Sequence, residues 1–264
     1  MKTVFQTLAL MMFATAVPAG AQTINHTFNT TGSMNDNGIY GNAITFSALS
    51  DPTLRMRVTG WQSAQSTNDI TSAYVGAYGG GLGITGRGDW NGDGAFHQVD
   101  NVGKYTDFLL LQFNRDVTLS GVNLNLYNMS GVSGRDGDLA FYDAGALQTA
   151  SWDSAIDLAA YNTAPATWIT VNGGNSGARA IPATTASSKW LVGAAFLPTS
   201  DEDDGFKIAS VTVTQAVSPV PEPATWAMML FGFGAAGAGL RRKARASEQR
   251  FTAQVKRIAS GQAV

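Results

Sequence analysis

Alternation of apolar and polar residues along the middle of the chain predicts β-strands. Residues 54–58 and 122–126 alternate at a period of two, and residues 211–214 end a third such stretch. Because successive side chains on a strand point to opposite faces, these stretches are typical of strands with one solvent-facing side. Residues 107–113 and 190–196 are more continuously apolar, which indicates strands buried on both sides.

Weaker strand patterns, with turns between them, predict further strands. Less regular alternation occurs at residues 39–48, 138–142 and 167–171, and Gly, Asn, Asp and Ser cluster in the gaps. Only residues 153–161 indicate a short helix. About eight or nine short strands without long helical patterns predict an all-β fold, a two-sheet, jelly-roll-like β-sandwich over residues 22–214.

The N-terminal residues have the pattern of an export signal. Lys2 precedes an apolar stretch from Val4 to Val17, and Ala19-Gly20-Ala21 supplies the small residues that a signal peptidase accepts. A buried first helix fits poorly, because the stretch has no polar face and stops at Pro18. We therefore expect residues 1–21 to be a signal peptide that signal peptidase removes, so that the mature protein is exported.

A second uncharged segment lies near the C-terminal end, after a linker at residues 215–220. From Ala224 to Leu240 no residue is charged, and as a helix this stretch would extend over roughly 25 Å, at the short end of what crosses a bilayer. Four cations follow directly: Arg241, Arg242, Lys243 and Arg245. Since such a cluster stays on the cytoplasmic side, we expect a single transmembrane helix at about 224–240 and a basic cytoplasmic tail at 247–264.

Three short motifs occur in a fixed order around this segment. Pro221-Glu222-Pro223 comes first, Trp226-Ala227 opens the apolar part, and Arg241-Arg242 closes it. This order, over residues 221–246, resembles the PEP-CTERM sorting signal in its Trp-Ala variant. Prolines on both sides of Glu222 keep the backbone extended and accessible to an enzyme just outside the membrane.

The resemblance implies a partner and a destination. An exosortase would recognise the Pro-Glu-Pro site while the protein is transiently anchored in the inner membrane. It would then detach the protein for delivery to the cell surface or extracellular matrix of a Gram-negative bacterium. Residues 247–264 depart from the pattern, because such signals usually end at the basic cluster.

Charge and cysteine content exclude several classes of function. Between Gln22 and Val220 there are 17 Asp and Glu against nine Lys and Arg. This balance argues against a nucleic-acid partner and is compatible with cation binding. Cysteine is absent, which excludes disulfides, thiolate metal sites and a cysteine nucleophile.

Residues 89–100 form a candidate calcium loop. Oxygen-bearing side chains occupy positions one, three, five and twelve: Asp89, Asn91, Asp93 and Asp100. Gly94 stands at position six, where the calcium loop of EF-hands turns sharply. Asp100 replaces the bidentate Glu of EF-hands and resembles the dockerin version of the loop. The alternative is a polar hairpin, since Asp, Asn and Gly make turns for local reasons. Residues 201–205 form a second acidic stretch, and we expect a solvated loop there in preference to a cation site.

The sequence offers little support for catalysis. Only His26 and His97 are available to a triad, and no serine lies in a Gly-x-Ser-x-Gly elbow. We therefore expect a non-catalytic surface or matrix protein, with Ca²⁺ as its candidate ion. One alternative is a carbohydrate-binding module acting on exopolysaccharide, and a second is an exported hydrolase with a carboxylate pair. The tryptophans available for stacking on sugars are Trp61, Trp90, Trp152, Trp168 and Trp190.

Overall fold

The computed structural model describes residues 22–33, 39–87, 97–127, 136–160, 167–182, 184–196, 203–217 and 223–261. The chain divides into a β unit, Thr23–Val217, and a second unit whose described part is the C-terminal helix. The predicted signal peptide, residues 1–21, lies outside the described residues.

The described part of the β unit contains twelve strands. In chain order they are β1 (Gln22–Asn29), β2 (Ala43–Ser47), β3 (Arg55–Ala64), β4 (Ile70–Tyr78), β5 (Gly81–Thr85), β6 (Val99–Asp100), β7 (Tyr105–Leu126), β8 (Leu139–Asp143), β9 (Ile169–Val171), β10 (Gly177–Ala180), β11 (Ser187–Ala194) and β12 (Gly205–Val217). The three weak strand predictions are confirmed, since they contain or overlap β2, β8 and β9. The predicted short helix is a single 3₁₀ turn, Leu158–Ala160.

Five of the strands form a closed ring. Their order is β12-β5-β4-β3-β7, and β7 pairs again with β12 to complete it. Strand β7 closes the ring because it is 22 residues long: residues 105–113 pair with β3, and residues 118–126 pair with β12. Register shifts in β12 lie between Ile208 and Ser210 and between Thr212 and Val213, along its pairing with the second half of β7.

This ring corrects the predicted architecture. The all-β prediction is confirmed, whereas the two-sheet β-sandwich is not, because the two halves of β7 pair with different strands and join them into a small five-stranded barrel. Beyond the ring, the first half of β7 also pairs with β11, which continues through β8 to β9. The second half of β7 also pairs with β10.

Apolar side chains cover both faces of the first half of β7. Leu109, Leu111 and Phe113 belong to the larger apolar cluster, together with residues of β3, β5 and β12. Phe108 and Leu110 alternate with them and belong to a second cluster, which includes side chains from the segment after β8. The prediction that residues 107–113 are buried on both sides is therefore confirmed.

The second unit contains a long helix, α1 (Pro223–Ala259). The predicted C-terminal helix is confirmed, although it continues well past Leu240. Large apolar side chains on it are exposed, among them Trp226, Phe231 and Phe233. Among the described residues, no helix has the length and apolar character needed to cross a membrane.

The transmembrane span predicted at residues 224–240 is therefore not confirmed. Four glycines lie in this stretch. Because glycine has no apolar side chain, they lower the mean hydropathy of the helix. They are Gly232, Gly234, Gly237 and Gly239.

The close approach of β11 to β7 gives a test of the strand pairing. Gly193 pairs with Phe108, and a Cβ on Gly193 would overlap the carbonyl oxygen of Asp107 and lie 2.5 Å from the Cβ of Phe108. We expect Gly193→Ala to lower the free energy of unfolding by about 1–3 kcal/mol, measured by urea denaturation. Gly79→Ala is the matched control, since a Cβ there meets nothing within 4 Å. An unchanged midpoint for Gly193→Ala would contradict the pairing.

Candidate functional site

Helix α1 carries the residues that the sequence identifies as a sorting signal. Pro223 is its first residue, a position that suits proline because the missing N–H would have no helical partner there. Trp226 follows within the first turn, and Arg241 and Arg242 come after roughly 22 Å of helix. These three side chains are exposed. The helix therefore places the aromatic residue and the cations at opposite ends of the apolar stretch, and residues 221–222 lie outside the described residues.

Three buried carboxylates form a second candidate site, in the β unit. Asp136 and Asp138 precede β8, and Asp204 precedes β12. A parallel bridge between Asp136 and Asp204 brings the two segments together. One oxygen from each carboxylate lies within 4.8 Å of the others, and Asp138 and Asp204 are only 1 % exposed. We call these residues the carboxylate trio.

Asp204 connects the segments that form this site. Its Oδ1 accepts a hydrogen bond from the backbone N–H of Asp138 at 2.6 Å. Its Oδ2 accepts from the side-chain amide of Asn101 at 2.8 Å and from the backbone N–H of Ala195 at 3.3 Å. The ends of β6, β8, β11 and β12 therefore meet at one carboxyl group.

Burial and like charge change the acidity of this carboxyl. Burial raises the pKa of Asp204 to about 8, and the negative charges of Asp138 and Asp136 act in the same direction. The backbone N–H of Asp138 opposes them, because it favours the ionised form. At neutral pH a proton therefore competes for this site with any cation.

The trio is the group of described residues best suited to hold a metal ion. Ca²⁺ takes oxygen ligands at about 2.3–2.6 Å, so three oxygens within 4.8 Å of one another can reach one ion. Asp136 and Asp138 are not among the residues that the sequence predicts as ligands. The prediction that residues 201–205 form a solvated loop is wrong for Asp204, which is buried. An Asp-Gly-Asp spacing directly before a strand was the available signal.

The predicted calcium loop is only partly within the described residues. Asp89, Asn91 and Asp93 lie outside them. Asp100 lies in β6, is 5 % exposed, and accepts a hydrogen bond from the backbone N–H of Val102 at 3.2 Å. The calcium loop therefore stays a prediction.

A cationic group lies beside Asp100. The ammonium of Lys207 donates to the carbonyl oxygen of His97 and lies over the rings of Tyr78 and Tyr127, at 5.1 and 4.6 Å from their centroids. Burial lowers the pKa of Lys207 to about 8, and the charge of Asp100 opposes this shift. The charge of Asp100 is therefore already partly balanced by the protein.

The tryptophans proposed for sugar stacking differ in burial. Trp61, Trp168 and Trp190 are at most 8 % exposed and pack in the apolar clusters, so their faces are not available to a ligand. Trp152 is half-buried, and Trp90 lies outside the described residues. Among the described tryptophans of the β unit, Trp152 is therefore the one that can contact a sugar.

Comparison with protein-family models matches residues 219–243 to the PEP-CTERM protein-sorting motif. The chain carries a PEP-CTERM sorting motif. The resemblance stated from the sequence is confirmed, and the match coincides with the start of α1 and its first basic residues. The motif indicates an exported, transiently anchored protein that is processed by an exosortase. Neither the search of curated proteins nor that of solved structures gives a match.

The raised pKa of Asp204 predicts a pH dependence of stability. Between about pH 4 and pH 8 the folded protein keeps a proton that the unfolded chain releases, so the free energy of unfolding falls as pH rises through this window. We expect a loss on the order of a few kcal/mol, measured by urea denaturation at pH 5 and pH 8 in EDTA.

Asp204→Asn supplies the control, because an amide does not titrate in this window. The variant is expected to be less stable overall, since its amide nitrogen cannot accept the hydrogen bonds of a carboxylate, but its stability should change less with pH. The lowered pKa of His97 acts in the opposite direction below about pH 6.5, so the difference between the two proteins is the readout. Parallel pH profiles would contradict the assignment to Asp204.

Proposed function

We propose that this chain is a non-catalytic surface or extracellular-matrix protein, released from the inner membrane by an exosortase. The observation that carries the proposal is the PEP-CTERM motif at residues 219–243. All twelve described strands end by Val217, so cleavage at residues 221–223 would leave every one of them in the released product. The β unit is then the part that acts outside the cell.

The exposed apolar residues of α1 support a temporary contact with lipid. Side chains such as Leu230, Phe231 and Phe233 are 69–76 % exposed, and contiguous exposed apolar surface is typical of membrane or protein contacts. The cations at Arg241 and Arg242 follow this stretch and would hold its end at a negatively charged cytoplasmic surface. Cleavage before the stretch would remove both features from the released protein.

A change in the cleavage site tests the proposal. Replacing Pro221, Glu222 and Pro223 by alanine lets the backbone enter the helix, so we expect the full-length chain to stay in the membrane fraction. The wild type should appear as a shorter chain outside the cell only when the exosortase is active. Glu248→Ala is the control, because it removes a carboxylate from α1 outside the matched residues. Mass spectrometry of each fraction is the measurement, and equal release of the triple variant would defeat the proposal.

Calcium stabilisation of the β unit is part of the proposal and rests on the oxygen spacing of residues 89–100. We expect 1 mM Ca²⁺ to raise the melting temperature by several degrees and to give heat in calorimetric titration. Asp93→Ala should abolish both effects, whereas Asp157→Ala, at an exposed position, should not. If Asp138→Asn abolishes both effects and Asp93→Ala does not, calcium binds at the carboxylate trio. If calcium gives neither heat nor a shift in the melting temperature of the wild type, the calcium proposal is wrong.

A second candidate function, carbohydrate binding, is favoured by one observation. Trp152 lines a cleft on the β unit together with several polar side chains. An indole beside polar groups is a common arrangement in proteins that bind sugars, because the ring packs against the apolar face of a pyranose.

A further inference from the structure

The cleft beside Trp152 lies at the middle of β7. It has a volume of about 370 Å³ and is lined by residues 113–116, by Thr149, Ser151 and Trp152, and by Ser188 and Lys189 at the start of β11. This volume is within the range of small-ligand sites and accommodates one or two sugar units. Among the described residues, the lining of the cleft includes neither the carboxylate trio nor Asp100.

Lys189 is the unusual side chain of this cleft. It is 8 % exposed, and its hydrogen bonds with Ser187 use only its backbone. Within the described parts of the chain, no acceptor binds its ammonium and no carboxylate lies within 4.0 Å of it. An ammonium has three donors, and because the Nζ of Lys189 is not among the buried side-chain atoms that lack a partner, it is open to solvent. An anionic group in the cleft would complete the hydrogen bonds that the described residues leave unmade.

The neighbours of Lys189 are engaged elsewhere. Gln112, which faces it across the β7–β11 pair, accepts from Arg57 at 2.6 Å through Oε1. Its amide nitrogen donates to the carbonyl oxygens of Trp152 and Ser154, at 3.1 and 3.0 Å. Gln112 therefore supports the loop that carries Trp152 and accepts no hydrogen bond from the ammonium of Lys189.

Trp152 is held in a fixed place at the same cleft. Its carbonyl is bound by Gln112, and the guanidinium of Arg55 lies over its ring at 5.3 Å from the centroid. The indole is half-buried and lines the same cleft as Lys189. The hydroxyl groups of Thr149 and Ser188 also line it and can exchange hydrogen bonds with a polyol.

Charge around the cleft differs from that of the rest of the β unit. Of the nine Lys and Arg residues between Gln22 and Val220, four lie in or beside it: Arg55, Arg57, Arg115 and Lys189. Arg115 is paired with Asp51 at 3.1 Å. Arg57 donates to Gln112, Arg55 lies over the ring of Trp152, and both feel the charge of Asp153. Among these four, Lys189 is the cation without a partner in the described residues. Asp116 is exposed at the cleft and disfavours a dense polyanion. A ligand with a single carboxylate therefore fits better than a sulfated or phosphorylated one.

We propose that this cleft binds a carboxylated sugar, a uronic acid unit of an acidic polysaccharide. Its carboxylate accepts from Lys189, and the apolar face of its ring packs against Trp152. The inference deepens the carbohydrate-binding candidate and rests on the proposed function only in placing the β unit outside the cell, where such polymers occur.

Titration of the full chain with an oligogalacturonate of about four units tests this. We expect binding by calorimetry and a change in tryptophan fluorescence, with no binding of a neutral glucose oligomer of equal length. Lys189→Met keeps the apolar stem and removes the charge, so affinity should fall at least 10-fold, as it should for Trp152→Ala. Lys104→Met, at an exposed turn, is the matched control and should bind as the wild type does.

Stability separates ligand binding from a structural role. Removing an ammonium that has no acceptor among the described residues should leave the melting temperature of Lys189→Met unchanged or raise it, whereas a marked loss would show a structural partner and overturn the inference. Equal affinity for the neutral oligomer, or equal heat from acetate at the same carboxylate concentration, would also overturn it. Exosortase-dependent release should be normal in Lys189→Met, so failure of sugar binding and failure of the proposed sorting are distinguishable.

Discussion

The fold of the β unit depends on the length of β7. Buried backbone N–H and C=O groups must find partners, and a strand of 22 residues has more of them than a single neighbour can satisfy. The first half of β7 is paired by β3 and β11, and the second half by β12 and β10. The ring closes because β12 returns to a strand that already pairs with β3. The cleft lies at the change of partners, at residues 113–116.

The local pattern predicted the strands but not their pairing. Residues 107–113 and 122–126 are predicted as separate strands from their apolar patterns, and the polar residues Asn114, Arg115 and Asp116 follow the first of them. The structure keeps these polar residues in an extended backbone, where Arg115 pairs with Asp51 and Asn114 donates to the carbonyl of Thr53. Hydrogen bonds to a distant segment replace a turn here. Periodicity describes one segment at a time and carries no information on contacts with a distant segment. It therefore predicts the strands but not their closure into a ring.

The candidate sites show the same difference between what local sequence determines and what distant contacts determine. The sorting motif is contiguous, and its chemistry follows from residue order, so the sequence alone was sufficient to recognise it. The carboxylate trio joins residues 136–138 to Asp204, and the cleft joins Trp152 to Lys189 through β7. Their properties come from burial, which no single segment determines. The one local sign of Lys189 is a cation inside the otherwise uncharged strand Ser187–Ala194.

Charge gives the released domain its most specific constraint on ligands. The cations of α1 would leave with the sorting segment, and the β unit would keep 17 Asp and Glu against nine Lys and Arg. Such a domain repels an acidic polymer at long range, but at physiological salt this repulsion is screened beyond about 8 Å. Within that distance a ligand carboxylate interacts with individual groups, and Lys189, whose side chain is only 8 % exposed, is screened less than exposed carboxylates are. Lys189 can therefore attract a sugar acid locally although the domain as a whole is acidic.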